Sequence, residues 1–317
     1  MMKPYKIIYF LLAISVMTAC NPGVFIDDFS PDTQEVTVGK DGATVKFGAD
    51  NWAILYIDGN YSYSRSISDS EGNPIGKNLP LDEDDLATIS VQDDFHDFSI
   101  EKKDRRSLEF VMNENMDDSA LEYEVVVGNR YEEKSIRATF LPSAKYVIDS
   151  LVYKFDKAAV YSDNVNLVRS MKVNNQSSSE PAEITLYPYE ASYRKVSFLS
   201  AGGWTQTSYE KIFGRNLPDV MIPEVVDSGL EDTGTKCGFG VESAELDSGL
   251  DPAMAVKVSI NAGEYKRVDV YNCVDIYTVP FTAYASNPDS GKKRVFSGTL
   301  YSEKPFDYII LKRNVEE

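Results

Sequence analysis

A period of two constrains this chain more than any other feature. Val36 and Val38 alternate with polar residues, and Val45 and Phe47 resume the alternation after Lys40-Asp41-Gly42. Val256-Lys257-Val258-Ser259-Ile260 repeats the pattern near the other end. Side chains two apart share one face of a strand, so such runs predict half-buried strands. The first pair, with its turn residues, predicts a hairpin. Residues 52–57 read as a buried strand closed by Asp58-Gly59-Asn60, and residues 61–85 as a long polar loop. Further runs at 88–91, 98–100, 108–112, 121–127 and 135–141 are parted by turn signals at sandwich spacing. No segment holds a 3.6-residue apolar stripe through three turns, and residues 217–238 show no clear strand. The predicted fold class is all-β.

Composition excludes several functions. The 317 residues include 50 acids and 32 bases, a net charge of −18. Nucleic acid binding needs a basic face, so nucleic acid is not an expected partner. The single histidine, His96, leaves no room for a zinc site of several imidazoles. The chain lacks G-x-S-x-G, Walker A and H-E-x-x-H motifs. A non-enzymatic protein with no cofactor and no metal is expected. Asp82-Glu83-Asp84-Asp85 and Asp93-Asp94-Phe95-His96-Asp97 lack calcium-loop spacing and read as solvated surface, His96 included.

The N-terminus points to export. Lys3 and Lys6 precede an apolar run at 7–16, too short to span a bilayer as a helix. Residues 1–19 therefore read as a signal peptide. Met17-Thr18-Ala19-Cys20 resembles the lipobox of bacterial lipoproteins. That resemblance implies cleavage before Cys20, lipidation of its thiol and attachment to a membrane through the N-terminal lipid. Residues 20–31, with Pro22, Gly23 and Pro31, read as a tether. Asp27 and Asp28 resemble the surface-export signal of Bacteroidetes lipoproteins, which implies an outer-membrane, cell-surface location. With Cys20 lipidated, Cys237 and Cys273 remain. An oxidising compartment favours a disulfide between them, worth about 3–4 kcal/mol; two buried free thiols are the alternative.

Residues 32–143 resemble the BACON family, through the opening strands, Asn51-Trp52 and the closing Ser135-Ile136-Arg137-Ala138-Thr139-Phe140. The resemblance implies an Ig-like sandwich with Trp52 in its core, serving as a spacer or a carbohydrate-binding module. After Pro142-Ser143, residues 144–317 read as an elongated antiparallel β domain or a second sandwich. They resemble the aerolysin and epsilon-toxin-like β-pore-forming proteins in three places. These are the strand entering Asn174-Asn175 with its serine-rich sequel, residues 256–264 with their glycine turn, and residues 277–284 followed by Gly298. The resemblance implies a homo-oligomer that inserts a hairpin into a target membrane. Tyr187, Tyr189, Ala191 and Tyr193 alternate with Pro188, Glu190 and Ser192 and are the expected membrane-inserting strand. Arg105 and Arg106 end the densest basic run and read as an activating cleavage site or a solvated turn. Two functions follow: an antibacterial or cytolytic pore former, or a surface lipoprotein that binds glycan, lipopolysaccharide or another ligand without catalysis.

Overall fold

The computed structural model describes residues 27–59, 65–227, 229–232 and 234–315. The expected signal peptide, Cys20 and most of the expected tether lie outside the described residues. The chain divides into two compact units between Ser143 and Ala144. The described residues are nearly all β, with one eight-residue α-helix, Gln206–Phe213, and one 3-10 turn, Phe155–Lys157.

The first unit is a sandwich of nine strands: β1 (Glu35–Val38), β2 (Ala43–Lys46), β3 (Ala53–Gly59), β4 (Arg65–Asp69), β5 (Ala87–Gln92), β6 (His96–Asp104), β7 (Ser107–Asn115), β8 (Leu121–Gly128) and β9 (Glu133–Phe140). One sheet runs β1-β9-β8-β3, and the other runs β2-β7-β6-β5-β4. Both send alternate side chains into one core, where Val38, Val45, Phe110, Val125 and Phe140 are fully buried. Trp52 is also fully buried and stacks on Phe47 with ring centroids 4.0 Å apart.

The opening hairpin is not formed. β1 pairs in parallel with β9, while β2 pairs with β7. The turn at Lys40–Gly42, with Gly42 at φ 71°, instead carries the chain from one sheet to the other. Alternation places Val38 and Val45 in the core either way, so the pattern alone does not choose a partner strand. One other expectation also fails: the long polar loop contains β4. The one helix has two turns, too short to carry a three-turn stripe. Thr205 caps that helix, its side chain accepting from the Ser208 N–H.

The second unit holds β10 (Val147–Tyr153), β11 (Ala159–Asn174), β12 (Ala182–Leu186), β13 (Tyr193–Ser200), β14 (Asp219–Met221), β15 (Glu224–Val226), β16 (Gly229–Glu231), β17 (Lys236–Gly238), β18 (Ala244–Asp247), β19 (Val256–Ile260), β20 (Tyr265–Ser286) and β21 (Lys293–Asn314). β14 to β17 have three residues each, below the length at which alternation can be read. β20 and β21 have 22 residues each, about 70 Å of extended chain. They pair antiparallel along nearly their whole length. β10 and β11 pair with successive parts of the other edge of β20, and β13 followed by β18 extends the sheet beyond β21.

Lys102 is a buried exception to the basic run read as exposed. It is 1% exposed, lies 4.4 Å above the Trp52 ring and donates to the carbonyls of Trp52 at 2.8 Å and Glu83 at 2.7 Å. Burial pushes its pKa down to about 8 from 10.5. The unfolded chain therefore binds more protons than the fold between those values, and stability rises with pH across that window. The expected result is a denaturant midpoint that rises from about pH 8 towards pH 10. Lys102→Met should remove that slope.

Candidate functional site

The long ladder changes its buried face halfway. Near the start of β20 the even-numbered Val268, Val270 and Val274 are buried; further on it is the odd-numbered Tyr277, Val279, Phe281, Ala283 and Ala285. Because neighbouring strand residues point to opposite faces, the two halves are covered from opposite sides.

A two-stranded sheet of β12 and β19 covers the first half. Leu186, Val258 and Ile260 from this pair bury against Val268 and Val270. Lys257 and Ser259 alternate outward. Asn175, 6% exposed, ties down its end, with Nδ2 donating towards the carbonyls of Glu180 at 2.9 Å, Asn261 at 3.0 Å and Ile260 at 3.1 Å. This is the physical role of the Asn174-Asn175 step noted in the sequence.

The helix and Phe239 cover the second half, where β13 continues the sheet beside β21. Phe198 and Phe239 meet Phe281 with centroids 5.4 and 5.7 Å apart, and Phe213 meets Phe296 at 5.4 Å. Gly298 is required there, because a Cβ would come within 2.2 Å of the Leu199 carbonyl oxygen and 2.9 Å of the Phe281 ring.

A buried arginine lies beside Tyr277. Arg194 on β13 is 1% exposed. Its Nε donates to Ser302 Oγ at 3.0 Å; Nη2 donates to Tyr277 Oη at 2.9 Å and to the Pro223 carbonyl at 2.8 Å. Nη1 pairs with Glu224, whose other oxygen accepts from Lys304 Nζ at 3.0 Å. Tyr277 Oη donates to the Pro223 carbonyl at 2.6 Å. Burial acts to raise the Glu224 pKa, but the Lys304 hydrogen bond and the Arg194 charge outweigh it and hold the carboxyl below its ordinary value. Sequence reading missed this network, since no spacing in the sequence marks Arg194 as buried.

The strand expected over Tyr187 to Tyr193 is not formed. Tyr187 to Ser192 form a turn between β12 and β13, and only Tyr193 enters a strand. Pro188 has no N–H to give a ladder. Its carbonyl accepts from Asn272 Nδ2 at 3.0 Å, and Ser192 Oγ donates to Asn272 Oδ1 at 2.6 Å. Tyr189 is 8% exposed against Tyr308, while Tyr187 and Tyr193 are exposed and Ala191 is in the turn.

The expected disulfide is corrected as well: Cys237 and Cys273 are free thiols. Cys237 adjoins Lys236, the partner of Met221, whose carbonyl accepts from Tyr153 Oη at 2.8 Å. Tyr153 pairs with Phe281, eight positions along β20 from Cys273, about 26 Å of strand. A disulfide needs Cα atoms within about 7 Å. Burial pushes the Cys237 thiol up to about 11.

Arg105 and Arg106 form the exposed two-residue turn between β6 and β7, where Asp104 pairs with Ser107. The Arg106 carbonyl accepts from the Phe47 N–H at 2.9 Å. Cleavage there requires opening of the hairpin. His96 is 3% exposed, not a surface residue: Nδ1 is 3.0 Å from Asp93 Oδ1, and Nε2 is 3.1 Å from Asp117 Oδ2. Among the described residues no group of three or more His, Cys, Asp or Glu is placed to hold a metal ion. No described helix is long and apolar enough to cross a membrane.

No protein-family model matches the chain, and no curated protein matches it. Solved structures do. A lamprey immune protein is 16% identical, with 88% of this chain and 89% of that chain covered and a TM-score of 0.32. Parasporin-2, a Bacillus thuringiensis toxin that recognizes cancer cells, is 11% identical over 62% of this chain and 77% of its own, with a TM-score of 0.26. A β-pore-forming protein of Brevibacillus laterosporus is 10% identical over 61% and 79%, with a TM-score of 0.26. Scores of this size reflect partial superposition of strands and carry no assignment of function.

Arg194→Met should destabilise the second unit by about 3–5 kcal/mol, since it leaves buried oxygens without donors. Because the Glu224 pKa is depressed, its contribution is present above the ordinary carboxylate pKa and is lost as pH falls through the folded value. Protection of the β13 and β15 amides, taken relative to intrinsic exchange at the same pH, should therefore fall in acid and should be low already at neutral pH in the variant.

Proposed function

We propose that the chain is a β-pore-forming protein that oligomerises on a target membrane. The observation that carries this reading is the ladder of β20 and β21, two strands of 22 residues in antiparallel pairing with one register shift, between Cys273 and Val274. A strand needs only about 9–11 residues to cross a bilayer, and ordinary strands have about 5–6. A ladder this long, covered at each half by separable short elements, suits a unit that rearranges into a barrel with its main hydrogen bonds retained.

β13 and β18 are the strands proposed to leave. β18 pairs only with β13, over four residues. β13 faces Arg194, Val196 and Phe198 inward, while Tyr193, Lys195 and Leu199 point outward. That alternation is what a barrel strand uses, with one side to lipid and the other to the lumen. The first unit serves as the receptor-binding or spacer module that its BACON-like sequence suggests. Cys20 holds the chain on the producing cell until cleavage releases it. Activity is non-enzymatic.

Two measurements test this. Protein beginning at Asn21 should release calcein from vesicles carrying target-envelope lipids or lipopolysaccharide, with limited trypsin cleavage increasing release, and should form a heat-resistant oligomer. Folded protein that releases nothing from any envelope, cleaved or uncleaved, favours the surface-binding reading, which a glycan array then examines. Ser197 stands opposite Tyr301 across β13 and β21. Ser197→Cys with Tyr301→Cys should block release until a reductant is added, because the disulfide holds β13 on the ladder.

A further inference from the structure

At the ladder tip, the face opposite β12 and β19 is open. Lys172, Arg267 and Arg313 stand directly opposite one another on β11, β20 and β21, so they form a row across three strands on this face. Like charges directly opposite each other destabilise a sheet. Composition does not account for the row either, in a chain of net charge −18. Only the next row offsets it. There Asp269 Oδ1 accepts from Arg267 Nε at 2.7 Å and from Ser170 Oγ at 2.6 Å. Asp269 Oδ2 is buried without a hydrogen-bond partner, 4.0 Å from Arg313 Nε. Three cations against one carboxylate leave an excess of positive charge, and Lys172 is exposed with no ion pair among the described residues.

Beside the cations the same face is apolar. Leu167, Tyr271 and Ile309 form a row one step further along, and Leu311 stands in the Asp269 row. Leu167 is 51% exposed, Ile309 40% and Leu311 38%. Asp307, opposite Cys273, marks the far limit. Cations along one margin and uncovered apolar rows beside them make an interfacial surface. Its side chains can reach the acyl boundary while its charges stay at headgroup phosphates.

We propose that this face docks on a bilayer containing anionic phospholipid. The inference deepens the pore-forming reading and rests on it for its place in the mechanism, since it names the surface through which the second unit meets lipid. Charge complementarity selects the occupant. A second copy paired edge to edge in the same register would set Lys172 beside Arg313, cation against cation, whereas a phosphate surface satisfies the whole row.

The test is flotation of the full chain with vesicles of phosphatidylcholine alone or mixed with phosphatidylglycerol, at low and raised salt. All variants share one background, so any contribution from residues 1–26 is common to them. Binding should require phosphatidylglycerol and weaken with salt. Lys172→Gln with Arg313→Gln should weaken it about 25-fold, roughly fivefold per charge. Leu167→Ser with Ile309→Ser should weaken binding to the phosphatidylglycerol vesicles at low and at raised salt alike. Lys46→Gln with Arg137→Gln, an equal change of charge on the first unit, should leave it unchanged. Thermal melts confirm folding of each variant. The inference is overturned if the tip variants bind as the parent does, if phosphatidylglycerol makes no difference, or if the chain binds soluble heparin but no vesicle. Calcein release from the same vesicles separates the two readings. Charge-dependent flotation without release keeps the docking face and removes the pore. Release with flotation indifferent to the tip variants keeps the pore and removes the docking face.

Discussion

The antiparallel pairing of β20 with β21 is the constraint on which the second unit depends. Its hydrogen bonds fix every side chain to one face or the other over 22 residues. Once that register is set, the switch from buried Val274 to buried Tyr277 obliges the apolar material to move to the other face. No single covering sheet can serve both halves. The fold answers with two small covers, an alternating strand pair at one end and an aromatic cluster with a helix at the other. The 22-residue strands thus explain why β12 and β19 form a small sheet of their own, while β10, β11, β13 and β18 join the ladder itself.

Arg194 lies buried beside Tyr277. A guanidinium presents five donors in a rigid fork, and here they reach a carboxylate on β15, a hydroxyl on β21, a phenol on β20 and the Pro223 carbonyl. A buried ion pair is weak evidence of added stability, since hydrophobic replacement often serves as well. What this one supplies is position. Without Arg194 the segment at Pro223 and Glu224 would have only the Tyr277, Thr235 and Lys304 contacts to fix it over the ladder.

The sequence shows the class of the fold more readily than its pairing. Alternation at Val36/Val38, Val45/Phe47 and Val256/Val258/Ile260 identifies strands correctly, because the period is local. It does not choose partners, so β1 and β2 read as a hairpin although they lie in different sheets. The same local rule misreads Tyr187 to Tyr193, where Pro188 removes a donor and Asn272, eighty-four positions away, holds the turn by its carbonyl. Arg194 and Lys102 were illegible for a related reason. Their burial depends on distant carbonyls and carboxylates that no spacing reveals. The cysteines show the limit from the other side: oxidation state and loop length say nothing about where the fold sets each thiol, and both are free.

Removal of β13 on the proposed mechanism has a consequence that links insertion to assembly. β13 occupies the edge of β21 from Gly298 to Glu303, and its departure uncovers a row of backbone N–H and C=O groups there. Uncovered edges are templates for pairing with another chain. In water that edge can be solvated, but at a membrane surface each unpaired group costs several kcal/mol. A neighbouring copy that has undergone the same change can supply the missing strand, and closure of the ring removes every edge at once. Arg194 leaves its pocket in the same step, which strands Glu224 with Lys304 and Thr235 as its remaining partners. Exposure of the edge, loss of the arginine network and demand for a neighbour are thus one event, so a pore former built on this ladder resists release in solution and is driven to oligomerise where water is scarce.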